Sequence, residues 1–173
     1  MIDIDEYDAV IFDMDGVLID SEPLWKIAME KSFHSVGCGI TKEDFQHTVG
    51  LRIDEVVEYW YKQVGWENYT AKEVEEQIVE SMIKLIQENG APLPGVIDTI
   101  AFLKVKGISI GLATSSYAVL IKTVLETLSL EDKFDFVHSA ESEKYGKPHP
   151  AVYLTVAQKL GVEAHKCLVI EDS

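Results

Sequence analysis

Residues 9–16 read Ala-Val-Ile-Phe-Asp-Met-Asp-Gly, and this stretch decides the fold. Its first half is a short apolar run rich in β-branched and aromatic side chains, which predicts a buried strand of a parallel sheet over Ala9–Phe12. The run stops at a polar turn that carries two acids and a glycine, Asp13 to Gly16. Because open α/β sheets bind ligands at the carboxyl ends of their strands, we expect this turn to lie at a functional site.

The next stretch, residues 19–87, carries only helix signals. Ser21 is placed to cap a first helix, and Pro23 suits its first turn. Thr41 is placed to start a short helix, and a capping box at Thr70 opens a long one. The pattern predicts a helical block inserted after the first strand.

Strand and helix signals alternate from residue 92 onward. Apolar runs predict strands over residues 108–113, 134–137 and 167–170, and helical periodicity covers the stretch before Gly107 and residues 119–128 and 151–160. This alternation is typical of βαβ units in an open parallel sheet. We therefore predict an α/β fold, a Rossmann-like three-layer parallel sheet formed by residues 1–18 and 88–173, with residues 19–87 as an inserted helical cap.

Polar clusters directly follow three of the predicted strands. They are Asp13 with Asp15, Thr114 with Ser115, and Glu171 with Asp172. Parallel strands of one sheet end at the same edge, so we expect the three clusters to meet in space although they are far apart in sequence.

The paired acids of the first turn favour a metal site. Asp13 and Asp15 repel each other unless positive charge lies nearby. Mg²⁺ suits such a place because it takes oxygen ligands and usually keeps substrate phosphate in its coordination shell. Asp172 offers a third oxygen. The alternative is that both acids are ordinary turn residues and that Gly16 only permits the bend.

Composition narrows the class of protein. The chain has 173 residues and a formal net charge of −15, with no basic stripe, which argues against a nucleic-acid partner. Its acidic N-terminus does not resemble a signal peptide, and its apolar runs are too short to span a membrane. Cys38 and Cys167 stand far apart, as expected of reduced thiols, so a cytoplasmic location is predicted.

Four motifs, in order, resemble those of the haloacid dehalogenase-like hydrolases. They are Asp13-Met14-Asp15-Gly16-Val17 after an apolar strand, Thr114 after Ile-Gly-Leu-Ala, Lys147 within Gly-Lys-Pro-His-Pro, and Glu171-Asp172. The segments DMDGVLIDSEPLW, VGLRIDEVVEYWY and GKPHPAVYL are similar to the bacterial branch that contains phosphatases of hexose and hexitol phosphates and β-phosphoglucomutase. The helical block also stands where this family carries its cap.

The resemblance implies a role for each motif residue. Asp13 would attack phosphorus and form an aspartyl-phosphate, and Asp15 would protonate the leaving alcohol and then activate water. Mg²⁺ would be held by Asp13, the backbone carbonyl of Asp15, Asp172 and Glu171; the alternative for Glu171 is a loop carboxylate that does not bind the metal directly. The phosphate oxygens would be bound by the Thr114 hydroxyl, the Ser115 backbone N–H and the Lys147 ammonium.

Each of the weaker candidates has a structural alternative. Thr114 and Ser115 would also serve as helix caps, and Lys147 would also suit a solvated loop. Arg52, near a helix start, is the best candidate in the cap for binding the substrate. The alternative is that Arg52 is an ordinary exposed arginine. Trp25 would stack on a sugar face or simply pack between cap and core.

The sequence favours Mg²⁺-dependent hydrolysis of a small phosphorylated metabolite, a sugar or polyol phosphate. A phosphosugar mutase is the nearest alternative, although mutases resembling this chain carry His where Trp25 stands. The chain ends at Ser173, one residue after Asp172, whereas the family continues through a further helix. A truncated non-catalytic fragment is therefore the third possibility, with self-association expected of a fragment and a monomer of the complete fold.

Overall fold

The structure is a computed structural model that describes residues 3–41, 44, 46–48 and 50–172. Its strands are β1 (Ala9–Phe12), β2 (Ser109–Thr114), β3 (Phe136–Ser139) and β4 (Cys167–Ile170). Its α-helices within these residues are α1 (Glu22–Ser35), α2 (Ile53–Val64), α3 (Ala71–Asn89), α4 (Val96–Lys106), α5 (Ala118–Leu128) and α6 (Ala151–Leu160). The short helix predicted from Thr41 falls largely on positions outside the described residues.

The strands form one parallel sheet in the order β3-β2-β1-β4, which confirms the predicted α/β fold. All four residues of β1 are buried, as a central strand covered on both faces requires. Phe12, the last residue of β1, is opposite Leu112 in β2 and Ile170 in β4. This register brings the residues that follow β1 and β4 to one level at the edge of the sheet.

Side chains of the central strands alternate between two apolar layers. Val10 and Phe12 join the larger hydrophobic cluster, and Ile11 joins a smaller one beneath α6. Helix α6 packs closely on β2 because Gly111 has no side chain: a Cβ atom there would lie 2.4 Å from Val156 Cγ1. Helices on both faces give the predicted three layers.

Helices α1 to α3 form a helical insert between β1 and α4. Both α1 and α2 pack against α3, which itself packs against α5 of the sheet region. Val74, Ile78, Met82 and Ile86 recur every four residues, and this spacing places them on one buried face of α3. The capping box at Thr70 is confirmed, with Glu73 accepting the Thr70 N–H at 2.7 Å. Helix α3 ends at Asn89, directly before Gly90.

Strand β3 begins two residues later than predicted. Asp135 donates its backbone N–H to the Ile110 carbonyl, and its carboxylate accepts the Ile110 N–H at 2.7 Å. A side chain thus replaces a backbone partner at this point, so the ladder starts at Phe136. Within the described residues, no helix combines the length and the apolar character needed to cross a membrane.

Candidate active site

The sheet register places three carboxylates together. Because Phe12 and Ile170 are paired, Asp13 and Glu171 follow at the same level, and the Asp13 N–H donates to the Ile170 carbonyl at 2.9 Å. Asp13, Glu171 and Asp172 each offer an oxygen, and these oxygens lie within 4.8 Å of one another. The first and last predicted polar clusters therefore meet at one edge.

This carboxylate cluster fits a hard divalent cation. Asp13 Oδ1 is buried and has no hydrogen-bond partner among the described residues, so an acceptor stands ready for a ligand. Gly16 has φ +70°, and a Cβ atom there would lie 1.8 Å from Asp172 Oδ2. The bare glycine backbone therefore lets Asp172 approach the turn, and oxygen ligands at this spacing are those that Mg²⁺ takes.

Lys147 joins the cluster from the loop after β3. Its Nζ donates to Asp13 Oδ2 at 2.7 Å and to Glu171 Oε1 at 2.8 Å, and only 11% of its side chain is exposed. Burial acts to lower the pKa of Lys147, but the Asp13 charge and the hydrogen bonds to Asp13 and Glu171 outweigh it and raise the pKa above its ordinary value. The alternative of a solvated loop lysine does not fit this burial and pairing.

The acids at this edge are electrostatically crowded. Burial raises the pKa of Asp13 to about 7, against the lowering effect of Lys147. Burial, reinforced by the Glu171 charge, also raises the pKa of Asp172. Because the pKa values of both Asp13 and Asp172 are raised, a cation bound beside them would favour their ionised forms.

The Asp15 carboxylate faces three hydrogen-bond donors. Its Oδ1 accepts from the Ser21 hydroxyl and, at 2.9 Å, from Trp25 Nε1, while its Oδ2 accepts from the Ser116 hydroxyl at 2.7 Å. Ser21 is the residue that precedes α1, as predicted, but its side chain makes no capping hydrogen bond to the helix. Its hydroxyl binds Asp15 because the chain turns back over that acid before the helix starts.

The second polar cluster lies beside this acid. Thr114 is buried at the end of β2, and its hydroxyl accepts the Ser116 N–H at 3.1 Å. The Ser115 hydroxyl donates to the Gly50 carbonyl in the helical insert at 3.0 Å. Neither residue caps α5, contrary to expectation, because Tyr117 is the residue that precedes the helix; the Glu141 carboxylate accepts the Ala118 N–H there.

Arg52 connects the helical insert to the sheet region. Its guanidinium donates to the carbonyls of Ala140 at 3.2 Å and Glu143 at 3.1 Å, and it also pairs with Asp54 and Glu55. Only 15% of its side chain is exposed. The structure thus places this guanidinium against the segment that leads to Lys147, which excludes an ordinary exposed arginine.

Sequence reasoning missed two residues beside the predicted site. Ser116 binds Asp15, and its signal was its place in the same polar turn as Thr114 and Ser115. Tyr153 lies on α6 with its ring 5.2 Å from Lys147 Nζ, and burial raises its pKa to about 12. It follows the lysine by six residues, and no local pattern marks it.

Residues 7–173 match the model of the haloacid dehalogenase-like hydrolase family. The chain belongs to the haloacid dehalogenase-like hydrolases. It is similar to hexitol phosphatase B of Escherichia coli K12, at 44% identity over 95% of this chain and 75% of that protein. It is 36% identical to the phosphorylated carbohydrates phosphatase of Thermotoga maritima, over 96% of this chain and 76% of the relative. These relationships identify an enzyme of the phosphatase type.

A solved structure with the same architecture is that of β-phosphoglucomutase from Clostridium difficile. It superimposes with a TM-score of 0.84 at 30% identity, covering 96% of this chain and 77% of the other. The shared fold therefore includes a protein named as a mutase as well as the phosphatases.

Proposed function

We propose that this enzyme hydrolyses a small phosphomonoester, a sugar or polyol phosphate, with Mg²⁺ and through an aspartyl-phosphate on Asp13. The observation that carries the proposal is the unpartnered buried oxygen Asp13 Oδ1, set beside Lys147 and two further acids. The substrate class rests on the similarity to hexitol phosphatase B and to the phosphatase of phosphorylated carbohydrates.

Asp13 acts as the nucleophile. Its Oδ1 attacks phosphorus, and the bond from phosphorus to the alcohol oxygen breaks while Asp15 gives that oxygen a proton. Asp15, now ionised, takes a proton from water, whose oxygen attacks the phosphorus of the aspartyl-phosphate. Breaking the acyl phosphate bond releases inorganic phosphate and restores both acids.

Negative charge on the phosphoryl oxygens is stabilised by hydrogen-bond donors that are already in position before the reaction. We assign this role to the Lys147 ammonium, which contacts Asp13, and to the Thr114 hydroxyl and the Ser115 backbone N–H, which lie at the end of the neighbouring strand β2. Mg²⁺ would be held by carboxylates of Asp13 and Asp172, the Asp15 carbonyl and Glu171. When bound, it supplies further neutralisation of the phosphoryl charge.

We assign catalysis to the sheet region and substrate selection to the helical insert. Residues 1–18 and 88–173 form the catalytic core, and residues 19–87 form a cap that selects the substrate. Support comes from the carboxylate cluster and Lys147, which all lie outside the insert, and from Arg52, Trp25 and Gly50, which bring the insert to the edge of the site. A monomeric cytoplasmic enzyme without a nucleic-acid partner stays the expectation.

A phosphate-release panel over hexose, hexitol and pentose phosphates, with and without Mg²⁺, tests the proposal. The wild-type protein should release phosphate only with the metal, and Asp13→Asn should abolish release because an amide is not a nucleophile at phosphorus. Rapid acid quenching should trap an acyl phosphate on wild type and none on the variant. Equal release by both proteins would contradict the assignment of Asp13.

A phosphosugar mutase is the second candidate, favoured by the likeness to β-phosphoglucomutase. Incubation with β-glucose 1-phosphate separates the two activities, because a mutase accumulates glucose 6-phosphate and a phosphatase accumulates glucose and phosphate. We expect the second outcome. A non-catalytic fragment would give neither product.

A further inference from the structure

The indole of Trp25 contacts the proposed acid rather than open solvent. Trp25 lies on α1 of the helical insert, is half-buried and packs against the main hydrophobic cluster. Its Nε1–H donates to Asp15 Oδ1 at 2.9 Å. The sequence offered stacking on substrate or packing between regions, and neither role includes this bond.

An indole N–H differs in kind from the other two donors on Asp15. The hydroxyls of Ser21 and Ser116 can rotate to donate or to accept, whereas an indole N–H only donates. Asp15 Oδ1 is therefore kept as an acceptor on the Trp25 side. The proton passed to a leaving group is then carried by Oδ2, because the Ser116 hydroxyl beside it can rotate and stop donating to that oxygen.

We propose that Trp25 is a positioning residue for Asp15: its indole N–H fixes the carboxyl rotamer for proton transfer and makes that geometry depend on the seating of α1. The inference rests on the proposed function of Asp15 as general acid. Trp25 then acts in the chemical step and not in binding the sugar. The consequence is a specific dependence on the leaving group.

Trp25→Phe removes the N–H and keeps an aromatic ring, although a smaller one. For hexitol 6-phosphate we expect kcat to fall about 10-fold or more, with KM within about twofold, since the lost hydrogen bond is to a carboxyl that becomes charged as it gives up its proton. For 4-nitrophenyl phosphate the loss should stay below about threefold, because a phenolate leaves without a proton. Trp66→Phe is the matched control, as this buried indole N–H has no partner among the described residues.

A double-mutant cycle separates positioning from a structural role. In an Asp15→Asn background, adding Trp25→Phe should change kcat less than about twofold, because the group it positions is already absent. Additive losses, or equal losses on both esters, would overturn the inference. A rise in KM for the hexitol ester alone, with kcat kept, would assign Trp25 to substrate stacking instead.

The contact itself is testable without turnover. The three indole N–H resonances of this chain, from Trp25, Trp60 and Trp66, are assignable by single Trp→Phe variants. Asp15→Asn should move the Trp25 resonance and leave that of Trp66 in place. An unmoved Trp25 resonance would refute the contact. If the wild-type protein releases no phosphate from any ester, the proposed function is wrong. The Trp25 resonance would still show whether Trp25 and Asp15 are in contact.

Discussion

Lys147 Nζ lies 2.7 Å from Asp13 Oδ2, although 134 residues separate them in sequence. Lys147→Ala should lower kcat by about 10²–10³-fold, because a preplaced donor to the transferring phosphoryl group is lost. Lys144→Ala, which removes an exposed lysine of the same loop, should leave kcat unchanged. Steady-state rates of phosphate release at saturating Mg²⁺ measure both, and a loss under about tenfold for Lys147→Ala would contradict its role.

Gly16→Ala should abolish high-affinity Mg²⁺ binding. The added Cβ would lie 1.8 Å from Asp172 Oδ2 and must displace this carboxylate. Gly107→Ala is the control: Gly107 has a similar φ of +73° but open space around it, so it reports backbone strain of about 1–2 kcal/mol alone. Calorimetric titration with Mg²⁺ should show at least a tenfold weaker affinity for Gly16→Ala only. Equal affinities in the two variants would show that Asp172 is not a ligand of the metal.

Metal removal should stop turnover. Excess EDTA is expected to abolish phosphate release and Mg²⁺ to restore it, because the carboxylates of Asp13 and Asp172 repel the phosphate dianion when no cation is bound. Ca²⁺ should inhibit, since it takes more oxygen ligands and can draw both oxygens of Asp13 into its shell. Full activity in EDTA, or robust activity with Ca²⁺ alone, would remove the metal from the proposal.

Arg52→Ala should impair a small ester as well as a sugar phosphate. The guanidinium holds the carbonyls of Ala140 and Glu143, and the Glu143 carboxylate in turn accepts from Thr155 and His138. Without these hydrogen bonds the segment before Lys147 is held less rigidly. We therefore expect kcat to fall about tenfold on acetyl phosphate and hexitol phosphate alike.

Lys62→Ala is the matched control for Arg52, because Lys62 is an exposed cation of α2, the helix that begins directly after Arg52, and pairs with Glu58 one turn away. It should change neither rate. If Arg52→Ala spares acetyl phosphate and raises KM for the sugar ester, then Arg52 binds substrate, as the sequence alone suggested.

Asp135 should make stability depend on pH. Burial acts to raise its pKa, but the hydrogen bond from the Ile110 N–H and the ion pair with Lys104 outweigh it, so the pKa lies below its usual value. A carboxyl with a lowered folded-state pKa contributes stability above about pH 4 and loses it as the pH falls through the folded-state value. Asp135→Asn should therefore lower the urea midpoint at pH 7, and the difference should shrink below pH 4. Asp132→Asn, at an exposed carboxyl in the preceding turn, should not behave this way.

Local sequence signals determined the framework of the fold. An apolar run followed by an acidic turn identified β1 and Asp13, and the capping box at Thr70 identified the start of α3. These signals work because strand burial and helix capping depend on residues within a few positions of one another. The ends of β1, β2 and β4 were found to within one residue, and with them the edge that gathers Asp13 and Glu171.

Only the tertiary structure decided what several polar side chains touch. Ser21 and Trp25 were predicted as a cap and a packing or stacking residue, yet both donate to Asp15. Arg52 reaches carbonyls 88 and 91 residues away, and Glu141 rather than Thr114 caps α5. A hydroxyl, guanidinium or carboxylate can satisfy several partners of equal chemistry, and the choice depends on how the helical insert sits on the sheet. The sequence therefore determined which groups stand at the edge, and the packing of the insert decided which of them bind one another.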